Sequence, residues 1–491
     1  MSAVLEKARV YESQMGEVVK GRKPAFHVTA PIGWINDPNG FSMFQKEAHL
    51  FYQYHPYSTK WGPMHWGHCK TRDFIKWEQL PCAIAPDTVY DGQGCFSGSA
   101  VEWNKKHVLM YTSVLEKDDE EGNHIIRQTQ SIAIGDGINY EKAAQNPVIL
   151  GDVLPKGSSL EDFRDPKIWE QNGKLYAVVG SRNEDGSGQI ALFSSENALD
   201  WNFESILDRS RNRYGKMWEC PDFFYLDGKN VLVTSPQDMQ AEDLEFHNGN
   251  GTIYLVGEFE AKNGTFERSL MQARAIDYGL DFYAPQTLLT EDGRRIMIAW
   301  MQSWDTVNLI SPGEFSWRGQ LTLPRELHLI DGKLYQNPVK ELENYYANSV
   351  EKRGIAAARW TQIEGIQGRM LDMTVDVAEG DYEKFCIRLA DDGRFHTDVV
   401  FDPKESVLTF DRTYAGICRD TVTSRSMRVA DRNGAIRLRI VLDRYSVEIF
   451  VNDGQQAMTS LIFTDQEADR ISFKSSGNVQ FDVTKHEIVV K

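Results

Sequence analysis

The chain has 491 residues and a formal net charge of −17 at pH 7, with 41% hydrophobic and 25% charged residues. This length exceeds the range in which one core keeps growing, and it predicts two or three domains. The negative charge argues against a nucleic-acid or anionic-membrane partner, because phosphate groups favour basic surfaces, and no apolar run approaches membrane-spanning length.

The N-terminal stretch MSAVLEKARVYESQMGEVVKGRK contains no apolar h-region, which predicts that no secretory signal is present. Six cysteines are scattered without CxxC spacing, at positions 69, 82, 95, 220, 386 and 418. This scatter argues against the usual zinc and redox patterns and is typical of reduced thiols. The sequence therefore predicts a cytoplasmic protein.

A unit of about sixty residues recurs through the first two thirds of the chain. Each copy has a turn-rich knot, a β-prone run, a Gly-containing turn and a second run. The knots, at Asp37, Ser97, Asp165, Asp222 and Tyr283, are spaced by 60, 68, 57 and 61 residues. This period fits a four-stranded blade, so five copies predict a five-bladed β-propeller. In such a ring the five knots converge at one mouth of the central channel.

Turn signals inside the later copies support this interpretation. Asn172-Gly173, Asp227-Gly228 and Asp292-Gly293 each stand between two apolar runs, as in β-hairpins. Residues 1–337 are therefore predicted to form an all-β propeller domain.

The pattern changes after Asn337-Pro338. Residues 338–351 are predicted to form a helical linker, because Asn caps a helix and Pro suits its first turn. From residue 352 to 491, short runs such as IRLRIVL and SVEIFVNDG largely alternate between apolar and polar residues. Many short alternating strands in about 140 residues indicate a β-sandwich. No catalytic cluster is evident there, so the predicted role of this domain is support.

Three of the five knots carry acids: Asp37, Asp165 and the pair Glu219 and Asp222. Aromatic residues accompany them, at Trp34, Phe163, Trp218 and Phe223. Hydrolysis of a glycosidic bond needs one carboxylic acid to protonate the leaving oxygen and one carboxylate to attack or to activate water. Carboxylates from separate blades would supply both groups.

Each acid also has a structural interpretation. Taken alone, GWINDPNG is better explained as a bend, since Asp, Asn, Pro and Gly all favour turns. Arg164 beside Asp165 is consistent with a structural ion pair, and Glu219 with an ordinary edge charge. Their matching places in a repeat favour function for the group. His65 and His68 are too few for a metal site and are predicted to pack or to form hydrogen bonds.

Six motifs together resemble glycoside hydrolase family 32, the β-fructofuranosidases. They are GWINDPNG, WGH at 66–68, CFSGSA at 95–100, FRDPK at 163–167, WECPD at 218–222 and SWRGQLTLPREL at 316–327. They come in family order over residues 27–330, and SVEIFVNDG extends the similarity toward the C-terminus. The resemblance implies a five-bladed propeller followed by a β-sandwich, in agreement with the repeat.

The resemblance also implies residue roles. Asp37 would be the nucleophile that forms a covalent fructosyl-enzyme, and Glu219 the acid that then serves as base. Asp165 would hold fructose hydroxyls and stabilise the transition state, assisted by Arg164. Further fructose contacts are implied for Asn36, Gln53, Trp61, Phe96, Ser97 and Trp300. Such a double displacement retains the anomeric configuration, with carboxyl oxygens about 5–5.5 Å apart. No metal or organic cofactor is implied.

One residue departs from the family pattern. The family usually has YQYNP after its first strand, whereas this chain has His55 at the Asn position. His55 either alters the contact with the leaving sugar or only packs differently, and packing is slightly favoured.

The expected substrates are sucrose, sucrose-6-phosphate and short fructo-oligosaccharides. The alternatives are a fructosyltransferase and a non-catalytic carbohydrate-binding propeller, although all three expected carboxylates are present. The sequence is compatible with a homo-oligomer.

Overall fold

A computed structural model describes residues 1–18, 23–118, 121–270, 272–306, 316–416 and 421–490. The described residues form an all-β fold, as the sequence predicts. One α-helix, α1, spans Ala3–Gly16, and 3-10 turns lie at Gly151–Val153 and Lys340–Tyr345. No helix within these ranges is long and apolar enough to cross a membrane.

The strands of the first two thirds of the chain are, in order, β1 (Gly33–Phe44), β2 (Glu47–His55), β3 (His65–Thr71), β4 (Trp77–Ile84), β5 (Gly94–Trp103), β6 (Lys106–Asp118), β7 (His124–Gly135), β8 (Tyr140–Lys142), β9 (Ser158–Gln171), β10 (Lys174–Asn183), β11 (Gly188–Ser195), β12 (Asn202–Arg209), β13 (Trp218–Leu226), β14 (Lys229–Pro236), β15 (Ile253–Glu260), β16 (Thr265–Arg268), β17 (Arg274–Ala275), β18 (Tyr283–Leu289), β19 (Arg295–Trp300), β20 (Trp317–Arg318), β21 (Arg325–Ile330) and β22 (Lys333–Pro338).

These strands form five sheets, one for each predicted repeat. Four antiparallel strands make up the body of each sheet, and β1, β5, β9, β13 and β18 are the first strands. The first strands contact one another in succession, and β18 also contacts β1. The short strand β20 pairs in parallel with the start of β1, which joins the last part of this region to the first. The three predicted Gly hairpin turns lie between β9 and β10, β13 and β14, and β18 and β19.

Every first strand contains a bulge, which lies close to the leading end in β1, β5, β13 and β18 and in the middle of β9. The pairing register shifts between Ile35 and Pro38 in β1, and the other four first strands shift at the matching place. A bulge inserts unpaired residues into one strand and redirects its side chains. The residues at or beside these five bulges are therefore oriented differently from those of a regular strand.

Proline and glycine explain why the chain bulges at these places. Proline has no N–H to give to the ladder, and in sheets it is confined to edges, strand starts and bulges. Four of the five bulges carry it, at Pro38, Pro166, Pro221 and Pro285. In the fifth, β5, Gly98 takes the place of proline, and a Cβ there would lie only 2.0 Å from the Met110 carbonyl oxygen.

Helix α1, for which the sequence analysis made no prediction, packs against β4. It begins at the N-cap Ser2, whose Oγ accepts a hydrogen bond from the Leu5 N–H at 3.2 Å. On its inner face Arg9 Nε donates to the Cys82 carbonyl oxygen at 2.8 Å, and Glu12 accepts from the Cys82 N–H at 2.7 Å. These bonds tie the helix to the edge of the first sheet.

The C-terminal strands are β23 (Tyr346–Ile355), β24 (Thr361–Gln367), β25 (Leu371–Val377), β26 (Asp381–Asp391), β27 (Thr397–Asp402), β28 (Val407–Asp411), β29 (Ser424–Arg428), β30 (Ile436–Asp443), β31 (Ser446–Val451), β32 (Gln456–Leu461), β33 (Arg470–Asn478) and β34 (Phe481–Ile488). They form two six-stranded antiparallel sheets, in the orders β23-β34-β25-β30-β31-β32 and β24-β33-β26-β27-β28-β29. Apolar residues from both sheets form one shared core.

The predicted helix over residues 338–351 is wrong. Residue 338 ends β22, a single 3-10 segment follows, and β23 begins at Tyr346. Tyr346 stacks on His486 of β34 at a ring distance of 4.2 Å, and its hydroxyl donates to Asp372 Oδ2 at 2.6 Å. Strand pairing and these cross-strand contacts outweigh the local helix signals, because strand preference depends on tertiary context.

A buried network of charges joins the first two thirds of the chain to the C-terminal sheets. His27, just before β1, bonds to Asp443 and Glu448 at 2.8 Å each. Arg325 of β21 donates to Glu448 Oε2 at 2.9 Å and to Asp277 Oδ2 at 3.0 Å. Since every member has a partner of opposite charge, removal of one leaves another buried charge uncompensated.

We expect the stability of the protein to fall as pH rises through about 9. Burial alone would lower the pKa of His27, but its bonds to Asp443 and Glu448 outweigh this effect and raise the pKa from 6.5 to about 9. Because the folded-state pKa is raised, the stabilisation is complete below about 6.5 and is lost as pH passes 9. Its size is about 3 kcal/mol.

Urea unfolding at pH 6.5 and pH 9.5 measures this loss. His27→Gln is the matched control, since it has no charge to lose and should show a smaller change between the two pH values. If the free energy of unfolding changed equally in the wild type and in His27→Gln, the loss of stability could not be assigned to His27.

Candidate active site

Carboxylates from three different sheets meet around Cys220. Asp37 lies at the bulge of β1, Asp165 at the bulge of β9, and Glu219 directly before the bulge of β13. The Cys220 thiol lies 3.5 Å from Asp37 Oδ2 and 3.6 Å from Asp165 Oδ2. Its backbone N–H donates to Asp165 Oδ2 at 2.9 Å. Asp165 and Glu219 follow Asp37 by 128 and 182 residues in the sequence, yet all three side chains lie in one cluster.

Asp37 is buried and held by two neighbours. Ser97 Oγ donates to its Oδ2 at 2.7 Å, and Asn36 Nδ2 donates to its Oδ1 at 3.1 Å. Burial raises the pKa of Asp37 to about 6, the two donors oppose this rise, and the charge of Glu219 adds to it. At neutral pH the carboxylate is therefore mostly ionised, as a nucleophile must be.

Both oxygens of Glu219 accept hydrogen bonds. Arg164 donates to Oε1 at 2.9 Å, and the Tyr283 hydroxyl donates to Oε2 at 2.6 Å. Arg164 also donates to Asp162 Oδ1 at 2.8 Å. Burial acts to lower the pKa of Arg164, but the charges of Glu219 and its acidic neighbours hold it above its usual range. The guanidinium therefore stays charged and keeps Glu219 in one orientation.

Asp165 has an unusual backbone as well as an acidic side chain. Its φ of 66° lies in the left-handed region, and its N–H donates to Thr112 Oγ1 at 2.8 Å. Burial raises the pKa of Asp165, Arg164 opposes this, and the charges of Glu219 and Asp37 raise it further. Crowding of three acids in a buried site shifts proton affinities in the way that acid–base catalysis uses.

Aromatic rings form a wall beside the carboxylates. Trp34 stacks nearly parallel to Trp304 at 6.5 Å and meets Trp300 edge-on at 6.1 Å. Trp61 meets Phe96 edge-on at 5.9 Å. Trp61 is 48% exposed and Trp304 43% exposed, so both present open ring surface at the site. Flat aromatic surfaces with few polar groups are typical of small-molecule sites.

The remaining predicted residues lie close to this cluster. Asn36 is itself oriented by Trp34, whose Nε1 donates to Asn36 Oδ1 at 2.8 Å. Gln53 is buried, and its Nε2 donates to the Cys95 carbonyl oxygen at 3.0 Å. Trp300 is fully buried, and within the described ranges its indole N–H has no hydrogen-bond partner.

Three further residues lie in the site without a role predicted from the sequence: Cys220, Tyr283 and Trp304. Tyr283 marks the fifth repeat, and that position is a signal that it belongs beside Asp37 and Asp165. Cys220 stands between Glu219 and a bulge proline, which distinguishes it from the other scattered thiols. Trp304 carried no signal in the sequence.

The histidines near the site have packing roles. His55 lies at the end of β2, edge-on to Tyr57 at 5.8 Å, with its Nδ1 3.3 Å from the Pro63 carbonyl oxygen. His68 stacks on Phe51 at 4.0 Å, which agrees with the predicted packing role. Among the residues that the structure describes, no group of three or more His, Cys, Asp or Glu is arranged to hold a metal ion.

Comparison with known proteins assigns the family. Residues 27–338 match the N-terminal domain of the glycosyl hydrolases family 32, and residues 339–489 match its C-terminal domain. The chain is 37% identical to the raffinose invertase of Escherichia coli over 460 residues, 91% of either chain. It is 38% identical to a sucrose-6-phosphate hydrolase of Zymomonas mobilis over 468 residues, 91% of this chain and 88% of that protein.

Solved structures agree with this assignment. A Bombyx mori GH32 beta-fructofuranosidase superposes with a TM-score of 0.85 at 31% identity, covering 98% of this chain and 97% of that one. A variant of that protein has been solved in complex with sucrose. The sucrose-6-phosphate hydrolase of Lactobacillus gasseri gives a TM-score of 0.84 at 26% identity, over 99% of this chain and 96% of that one. The predicted resemblance is therefore confirmed, and the chain belongs to glycosyl hydrolase family 32.

Proposed function

We propose that this protein is a retaining β-fructofuranosidase that releases fructose from sucrose, sucrose-6-phosphate or short fructo-oligosaccharides. The observation that carries the proposal is the cluster of Asp37, Asp165 and Glu219 from three different sheets around Cys220. The predicted enzyme class, a β-fructofuranosidase, is confirmed by the family and by the names of the relatives.

In the first step Asp37 attacks the anomeric carbon of the fructosyl unit while Glu219 gives a proton to the departing oxygen. A covalent fructosyl-enzyme and the free leaving sugar result. In the second step Glu219 takes a proton from water, which attacks the same carbon and releases Asp37. Two inversions give net retention. Two observations support these roles. Asp37 is mostly ionised at neutral pH, and Glu219 reaches the same cluster from a different strand, β13.

Asp165 and Arg164 act as supporting groups. Asp165 accepts hydrogen bonds from fructose hydroxyls, and its charge stabilises the positive charge that develops on the ring. Arg164 orients Glu219 through its hydrogen bond to Oε1. Asn36, Gln53, Trp61, Phe96, Ser97 and Trp300 complete the fructose contacts, with the exposed faces of Trp61 and Trp304 toward the leaving sugar.

The architecture that we propose is a five-bladed β-propeller over residues 1–337 and a β-sandwich over residues 352–491. The succession of contacts from β1 to β18 and back to β1 supports the ring. Hydrogen bonds between neighbouring first strands support it further, for example Ser99 Oγ to the Pro166 carbonyl oxygen at 2.7 Å and the Phe41 N–H to Gln286 Oε1 at 3.4 Å.

We also propose a cytoplasmic location. Cysteines 69, 82, 95, 220 and 386 are free thiols, as expected for a reducing compartment, and Cys418 lies outside the described residues. A homo-oligomer stays a prediction.

The experiment that tests the proposed function is a substrate panel. Sucrose, sucrose-6-phosphate, kestose, inulin and levan are ranked by kcat/KM, with Asp37→Asn as the control for contaminating activity. We expect free fructose from at least one of the first three. No release from any member by a folded enzyme would refute the proposal.

Hydrolysis is favoured over the two alternatives. The relatives are named as hydrolases and invertases, and no expected carboxylate is missing from the site. Product analysis at high sucrose separates hydrolysis from transfer: oligosaccharides that grow with time would indicate a fructosyltransferase. Binding without turnover would indicate a non-catalytic propeller.

We expect kcat/KM to fall as pH decreases through about 6, because a protonated Asp37 does not attack. The loss approaches tenfold per pH unit below that value. Ser97→Ala removes a hydrogen bond that lowers the pKa of Asp37. The acidic limb of the kcat/KM profile of this variant should therefore lie at higher pH than that of the wild type. Identical acidic limbs in the two proteins would contradict the assignment of this limb to Asp37.

A further inference from the structure

A second cavity lies at the opposite end of the same five first strands. Its volume is about 670 Å³. It is lined by residues that follow the site residues by two to six positions in β1, β5, β9, β13 and β18. At about 3.3 Å per residue, it lies roughly 7–20 Å along the strands from the carboxylates. Small-molecule sites have volumes of this size.

Arg295, the first residue of β19, lines this cavity without a strong partner. Its guanidinium lies over the ring of Phe224 at 4.8 Å, and its Nη1 makes one long contact, 3.5 Å, with Thr287 Oγ1. Its Nε is buried and, within the described part of the chain, has no hydrogen-bond partner. Burial lowers the pKa of Arg295 to about 10, so it remains charged at neutral pH.

The nearest acid, Asp222, is already engaged. Its Oδ2 accepts from Lys167 Nζ at 3.0 Å and from the Thr287 N–H at 2.6 Å. Because Lys167 neutralises the charge of Asp222, the positive charge of Arg295 is not neutralised by this acid. Arginine has five donors in a planar fork, and a buried guanidinium that uses so few of them favours an anionic ligand.

The side wall of the cavity is aromatic. Trp169 packs against Phe223 at 5.7 Å, and Phe223 meets Phe259 edge-on at 5.1 Å. All three rings line the cavity. Glu102 and Glu170 stand exposed at its edge, where they disfavour ligands with several negative charges. The cavity thus combines apolar rings with two cations, Lys167, which is paired with Asp222, and Arg295, which has no ion pair among the described residues.

We propose that this cavity binds a small organic anion, with its acidic group on Arg295 and an apolar ring against Trp169, Phe223 and Phe259. A guanidinium pairs with a carboxylate or phosphate through two parallel hydrogen bonds. Such a ligand touches strands of several sheets at once, so its binding stabilises their assembly. It lies at the opposite end of the strands from Asp37 and does not enter the reaction.

Phenyl phosphate is the probe, with inorganic phosphate and benzyl alcohol as its two halves. Isothermal titration should show saturable binding of phenyl phosphate at millimolar concentration or below, and the thermal midpoint should rise with its concentration. Inorganic phosphate and benzyl alcohol should each bind at least about tenfold more weakly than phenyl phosphate. Sucrose, added at saturation, should leave the binding unchanged.

Three variants locate the site. Arg295→Met should abolish binding while sucrose turnover stays within about twofold, which also shows that the variant is folded. Arg295→Lys keeps the charge without the fork and should bind about tenfold more weakly. Arg353→Met, in the exposed part of β23, should bind as the wild type does.

Absence of saturable binding to the wild type at about 10 mM would overturn the proposal, since the cavity then holds only water. Equal binding by Arg295→Met, or displacement by sucrose, would place the ligand elsewhere and overturn it as well. These outcomes are independent of the proposed enzymatic activity, because binding is measured directly.

Discussion

Asp37→Asn should lower kcat for sucrose by roughly 10⁴- to 10⁶-fold, the range seen when a reacting group is removed from an enzyme. The amide cannot form the covalent fructosyl intermediate, yet it fits the same space between Ser97 and Asn36. Asp227→Asn, in the hairpin turn between β13 and β14, makes the same chemical change outside the site and should keep full activity. Near-normal turnover by folded Asp37→Asn would remove Asp37 from the mechanism.

The same substitution should make the protein more stable. The folded-state pKa of Asp37 is raised from 3.8 to about 6, so its stabilising contribution is complete below 3.8 and lost as pH rises through 6. At pH 7.5 the ionised, buried carboxylate therefore costs up to about 3 kcal/mol, which a neutral amide avoids. Thermal unfolding should show a gain for Asp37→Asn at pH 7.5 that disappears near pH 4.

Stereochemistry gives a sharper test of the nucleophile. Asp37→Ala leaves space for azide, which can attack the anomeric carbon directly. One displacement inverts the configuration, so the product should be the α-fructosyl azide. A β-fructosyl azide from this variant would show that another side chain still forms the covalent intermediate.

Glu219→Gln should lower kcat for sucrose by roughly 10³- to 10⁴-fold, near the upper end of general acid–base effects. Sucrose has a poor leaving group that needs a proton. An aryl fructofuranoside with an acidic phenol leaves without one, so its first step should stay near the wild-type rate. The covalent intermediate should then accumulate, because no base remains to activate water.

The product formed with azide distinguishes Glu219→Gln from Asp37→Ala. It attacks without needing a base, so it should restore turnover of the aryl substrate and give the β-fructosyl azide, with retention. Tyr283→Phe is a useful companion, since it removes one hydrogen bond to Glu219 and keeps the carboxyl group; we expect a much smaller loss. Equal losses for sucrose and the aryl substrate in Glu219→Gln would contradict its role as acid.

Sequence alone located Asp37 and Asp165 because they occupy equivalent places in a repeat, each directly before proline. Glu219 belongs to the knot of the fourth unit but lies one residue before the equivalent place, which Cys220 occupies. A period of about sixty residues implies that such places meet, whatever the details of packing. The fold class and the hairpin turns followed from the same local patterns.

The atomic contacts depend on features that the repeat does not encode. The contact between Cys220 and two carboxylates depends on how the bulges of β1, β9 and β13 turn their strands. The open face of Trp304 depends on its stacking with Trp34, which comes 270 residues earlier. Likewise, the helix predicted over residues 338–351 overlaps the first part of β23, whose pairing partner, β34, lies at the far end of the chain where local signals do not reveal it.

The bulges of the five first strands have a consequence for how such a site can diversify. Each bulge is confined to one sheet, and the pairing beyond it is regular in β5, β9, β13 and β18, while β1 shifts once more between Asn39 and Ser42. A side chain can therefore be exchanged in one sheet without shifting the register of the other four. Reactivity, sugar contacts and leaving-group preference can therefore vary independently.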